Sequence, residues 1–111
     1  MMNPRLLLAV AAGMAFGSVA EVSAADVVAG RAKAAEVCAS CHGADGNSAA
    51  VDFPKLGGQH ADYLAKALRD YKSGRRKNAI MSGFAQPLSK QDIENLAAYY
   101  GAQPAVVSAR H

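Results

Sequence analysis

The chain has 111 residues, with twelve Lys and Arg against nine Asp and Glu, a formal net charge of +3. That balance is mildly basic and unclustered, which excludes the dense cationic face of a nucleic-acid binder. It contains no Trp and only 6% aromatic residues, so a small domain of this composition has little apolar bulk and benefits from a staple.

The first residues read as an export leader. Arg5 supplies a basic start, Leu6 to Val19 an apolar run, and Val22-Ser23-Ala24 a small-residue exit, so cleavage is expected after Ala24. An uncleaved anchor is the competing reading. The run is short for a bilayer span and is interrupted by Gly13 and Gly17. The expected division is a signal peptide over 1–24 and one domain over 25–111. Cleavage removes Arg5 and Glu21, one charge of each sign, so the +3 balance persists.

Asp26 is placed to cap a helix running through Val27, Gly30, Ala34 and Val37, in an alanine-rich stretch that favours helix. Gly30 either lets another helix approach closely or is a tolerated glycine in an exposed turn. The helix leads into Cys38-Ala39-Ser40-Cys41-His42, which holds the chain's only two cysteines. This C-x-x-C-H pattern is the attachment signature of a c-type haem. Two thiols one helical turn apart share a face, so each can add across one vinyl group of the same haem. The following histidine is then carried under the iron. Three other uses of the pair are weaker. A redox C-x-x-C belongs in a βαβ context that is missing from the pattern. A zinc site needs more ligands at short spacing, and His60 and His111 are distant in sequence. A disulfide here would close only a tiny loop. Haem would also supply the staple.

Gly43 to Ser48 has the composition of a loop, and Phe53-Pro54-Lys55-Leu56-Gly57-Gly58-Gln59 follows. Pro54 lacks an N–H but keeps a carbonyl, and a ligating histidine donates its second N–H to such an acceptor. Pro54 is the candidate acceptor, against the plain reading of a turn-former. From about His60 the residues Tyr63, Leu64, Ala67, Leu68 and Tyr71 form an amphipathic stripe, ended by Gly74 with Lys72 in the last turn. Arg75-Arg76-Lys77 reads as a solvated loop, a contact to a haem propionate or a docking patch. Asn78 to Phe84 reads as an apolar loop. It carries Met81, the one methionine left after cleavage. Met81 is gap-filling core or, beside a His-ligated haem, the sixth iron ligand, with His60 its main competitor. Ser89 with Asp92 makes a capping-box pattern, Leu88 and Ile93 a hydrophobic staple, and Ile93, Leu96, Ala97 and Tyr100 one helix face ended by Gly101. The tail from Gln103 reads as frayed. No internal repeat and no second C-x-x-C-H occur.

The order C-x-x-C-H, Pro54 to Gln59, Met81 and Leu96-Ala97-Ala98-Tyr99-Tyr100 resembles the class I cytochromes c, more narrowly the small periplasmic c4- and c553-type proteins. The four-helix class carries its haem motif near the C-terminus and fits less well. The resemblance implies an all-α fold of three to four helices around one covalently bound haem c. It implies thioether links at Cys38 and Cys41, axial ligation by His42 and Met81, and a His42 ring proton received by the Pro54 carbonyl. It also implies that the first helix crosses the last, with Gly30 near the Leu96/Tyr99 face. Ala34 stands where many relatives have an aromatic, so a looser helix contact is expected. The c4 type carries two haem domains, so this chain is expected to be a single-haem relative or one subunit of something larger.

The implied function is periplasmic one-electron transport between protein redox partners, without enzymatic activity. Membrane-associated respiratory complexes are among the candidate partners, and a monomer or weak oligomer is expected. The alternatives are a dedicated haem subunit of a dehydrogenase or sulfur-oxidising complex, and a ligand-binding or sensing haem protein.

Overall fold

Asp26 stands in extended backbone, and its carboxylate accepts from the amides of Val28 and Ala29, which opens the first helix at the expected residue. The computed structural model describes residues 24–106. All of the expected leader but Ala24, and the tail beyond 106, lie outside those residues. In chain order the elements are α1 (Val27–Val37), α2 (Ala39–His42), α3 (Ala61–Ser73), α4 (Ala79–Ala85) and α5 (Lys90–Gly101). No strand occurs among the described residues, and none of the described helices is long and apolar enough to cross a membrane.

The fold is built on the crossing of α1 and α5. A Cβ on Gly30 would lie 2.1 Å from the Asn95 carbonyl oxygen and 3.0 Å from Tyr99 Cβ. Glycine is therefore a steric requirement of the crossing, and the open choice at this position is resolved. Ala34 is 1% exposed, so the contact expected to be loose is closed. Asn95, a buried residue that local patterning does not single out, fastens the junction. Its Oδ1 accepts from the Asp26 amide at 2.8 Å and from Gln91 Nε2 at 2.8 Å.

Both halves of the capping box on α5 are formed. Ser89 Oγ accepts from Asp92 N at 2.9 Å, and Asp92 Oδ2 accepts from Ser89 N at 3.0 Å. Leu88 and Ile93 are buried on either side of the cap. Ser89→Ala should cost about 1 kcal/mol, which for a domain of this size lowers the melting temperature by about 4–8 °C. Ser89→Asp should restore most of the loss, and a thermal melt of the holoprotein checks both.

Gly101 differs from its expected role. It is the last helical residue, not a left-handed stop, and a Cβ there would crowd the Gln59 carbonyl at 3.0 Å and Ala61 at 3.3 Å. The glycine lets the start of α3 approach α5. By contrast Gly74, at φ 84°, is the left-handed terminator of α3 that the sequence leads one to expect.

The stretch expected as an apolar loop around Met81 is instead the helix α4. Asn78 Oδ1 accepts from Ile80 N at 3.1 Å and Met81 N at 3.0 Å, a complete N-cap. Seven residues are too few to be stable alone. Packing on α3 holds them, with Gln86 Nε2 donating to the Lys72 carbonyl at 2.7 Å. The tail is tied down as far as it is described. Asn47 donates to the Pro104 carbonyl at 2.8 Å and accepts from Val106 N at 2.8 Å, so fraying does not begin at Gln103.

The apolar core is small, with Ala34, Leu64, Leu88, Ile93, Leu96 and the two tyrosines of α5 at its centre. Tyr99 and Tyr100 donate to the Ala44 and Gly43 carbonyls at 2.6 and 3.3 Å, which clamps the loop after α2 onto α5. That clamp positions the residues of the next section.

Candidate functional site

Helix α1 delivers Cys38 at its C-terminal cap, and α2 carries Cys41 and His42 one turn further on. All three border a cavity of about 310 Å³ whose remaining wall includes Leu64, Leu68, Leu96 and Met81. His42 is 6% exposed. Its Nδ1 lies 2.8 Å from the Pro54 carbonyl oxygen, which can only accept. Nδ1 therefore carries the proton and Nε2 keeps its lone pair, the form in which imidazole binds a metal. The Phe53 ring meets the imidazole edge-on, with centroids 6.4 Å apart, and restrains its tilt.

Cys38 and Cys41 form no disulfide. Burial pushes the Cys38 thiol up to about 11, with its contact to Tyr100 acting in the opposite direction. Redox C-x-x-C pairs and zinc thiolates depend on lowered values. A neutral thiol on an apolar wall is the opposite arrangement. Among the described residues no group of three or more His, Cys, Asp and Glu converges as a metal cage, so the zinc reading has no ligand set there.

Met81 sits in the first turn of α4, half-buried, and reaches the cavity that holds His42. His60 is exposed, caps α3 and does not line that cavity. Tyr63 and Tyr71, two turns apart on α3, and Arg76 just beyond it also border the opening. The amphipathic stripe includes both tyrosines, and the structure puts them on the cavity. Their spacing of eight residues on one face was the available signal that they share a neighbour.

Two thiols, an imidazole nitrogen, a thioether and apolar walls in one cavity form the donor set and the lining that haem c needs. The family model for cytochrome c matches residues 27–100. The chain belongs to the cytochrome c family. Its cofactor is covalently bound haem c, for which the cavity is chemically fitted. This cytochrome c is 52% identical over 81 residues to cytochrome c4 of Pseudomonas aeruginosa, covering 73% of this chain and 40% of that protein. It is 43% identical over 83 residues to cytochrome c-554(548) of Halomonas halodenitrificans, covering 72% of this chain and 99% of that one. The solved structure of reduced cytochrome c4 from Pseudomonas stutzeri superposes with a TM-score of 0.71 at 47% identity, over 76% of this chain and 48% of the other. The chain thus spans about two fifths of the length of the c4 relatives it matches.

Proposed function

We propose that this cytochrome c carries one electron at a time between protein redox partners in the periplasm, as an electron-transfer protein and not an enzyme. The observation that carries the reading is the meeting of Cys38, Cys41, His42 and Met81 on one apolar cavity, with the His42 ring already oriented by Pro54. When bound, haem c supplies the reversible one-electron change at iron. The chain's residues do the rest. Cys38 and Cys41 would hold the group by thioether bonds. His42 would offer Nε2 to the iron, and its bond to the Pro54 carbonyl raises the donor strength of that nitrogen. Met81 would offer a soft thioether as the second protein ligand, which favours the reduced state relative to a second histidine. Leu64, Leu68 and Leu96 keep the wall of the cavity dry.

The reading includes export, with the signal peptide over 1–24 removed behind Ala24 and residues 25–111 forming the haem domain. Exported protein should have the mass of residues 25–111 plus one haem. It should keep its colour on the polypeptide through acid denaturation and organic extraction. A redox titration should give one reversible one-electron couple per chain. Colour in the organic phase would exclude thioether attachment, and co-purification as a fixed complex with one dehydrogenase would replace the diffusible carrier by a subunit.

A further inference from the structure

The basic run 75–77 is not one patch. All three residues are exposed, but Arg76 reaches back to the cavity mouth. Its Nη1 donates to the Tyr63 phenol oxygen at 3.2 Å, and its Cζ stands 4.8 Å from the Tyr71 ring centroid. The chain following α3 is bent to allow this by the Arg76 amide, which donates to the Asp70 carbonyl at 3.1 Å. A guanidinium gripped between a phenol and an aromatic face gives up most of its side-chain freedom. Its charge is not neutralised by a carboxylate among the described residues. Lys66 pairs with Asp70 and Arg69 with Glu94, whereas no ion pair among the described residues includes Arg76.

Of the other charged residues on the cavity, Asp52 has the wrong sign for an anion, and Lys55 is drawn towards the Val106 carbonyl, to which it donates at 2.9 Å. Tyr63 accepts from Arg76 through its oxygen, so its own O–H remains free to donate. An arginine fork and a phenol proton therefore stand together at the opening of an apolar cavity. Haem c brings two carboxylates to that cavity. We propose that Arg76, held in place by Tyr63 and Tyr71, is the counter-ion of one haem propionate, with Tyr63 donating to the same carboxylate. Arg75 and Lys77 are left as the outward-facing charges of the run. The proposal rests on the haem reading above and adds a positioning role to it.

Two consequences are measurable. A fixed positive charge near the iron favours the reduced state, so its removal lowers the midpoint potential. An adjacent arginine also depresses a carboxylic acid by about 1–3 units. Without it the propionate titrates at higher pH, and the step in potential against pH that accompanies propionate protonation moves upward. The other titratable groups bordering the cavity are Asp52, Lys55, Tyr63, Tyr71, Tyr100 and His42, with Cys38 and Cys41 taken up as thioethers under the haem reading, and all are retained in the variants.

The test measures potential from pH 4 to 9 on purified holoprotein of the wild type, Arg76→Gln, Arg76→Lys and, as an exposed control, Arg75→Gln. Arg76→Gln should lower the potential at pH 7 and move the step upward by about one unit or more. Arg76→Lys should restore most of the potential, and Arg75→Gln should follow the wild type. Superimposable curves for Arg76→Gln and wild type would overturn the proposal, even if the melting temperature falls, because Arg76 would then only pin the tyrosines. Equal shifts in Arg75→Gln and Arg76→Gln would also overturn it, leaving a general charge effect. Failure of the haem reading shows separately, as polypeptide without covalent colour.

Discussion

Gly30→Ala should lower the melting temperature by about 4–8 °C or more, the reverse of what the substitution does in an open helix. Alanine is normally favoured over glycine in a helix interior by about 1 kcal/mol. Here the new methyl group would stand 2.1 Å from the Asn95 carbonyl oxygen. The obstacle is backbone, so no side chain can swing aside, and α1 must move off α5. That movement stretches the bond from the Asp26 amide to Asn95 Oδ1 and opens the packing around Ala34. Overpacking costs about 1–3 kcal/mol and occasionally more. With total stability of about 5–15 kcal/mol and about 4–8 °C per kcal/mol in a small domain, the effect is large. Thermal melts of haem-loaded protein decide it. A variant as stable as the wild type would mean that the two helices re-space without loss.

Met81→Ala should have the largest effect on the chemistry. Under the proposed ligation the substitution opens one iron position, so carbon monoxide or imidazole should bind where the wild type resists them. The potential should fall by about 0.1 V or more, within the roughly 0.8 V that axial ligation spans. The fold should survive, since the His42 bond to Pro54 and both attachment cysteines are untouched. His60→Ala is the matched control, and the exposed position of His60 at the cap of α3 leads us to expect no change in spectrum or potential. An unaltered spectrum in Met81→Ala with an altered one in His60→Ala would reverse the assignment.

What the sequence made legible was whatever chemistry ties to short spacing. C-x-x-C-H could be read directly because two vinyl additions and one ligand demand those positions. Caps at Asp26 and Ser89 were readable because capping is a contact within three residues. The α4 helix was not, since seven residues carry barely two turns of periodicity and its stability comes from Asn78 and from α3. Asn95, and the two tyrosines that hold Arg76, escaped for a different reason. The Asp26–Asn95 bond joins residues 69 apart, and Arg76 is turned by tyrosines on the preceding helix. No local pattern encodes such partners. Gly101 was noticed for the wrong cause, because a close backbone approach and a helix stop both select glycine.

The pairing of the first helix with the last also orders events in time. A chain made from its N-terminus exposes α1 and the two thiols long before the residues around Asn95 and Tyr100 exist to cover them. Closing a segment of that length adds an entropic barrier that grows with the logarithm of its size, and domains generally complete folding as units once the whole segment is available. The attachment cysteines therefore remain open to a modifying enzyme through the interval before closure. Once α5 docks, Tyr100 packs on Cys38 and burial raises that thiol. A chain that closes before it is modified leaves both thiols half-buried on the cavity wall, so slower docking of α5 would be expected to raise the yield of haem-loaded protein.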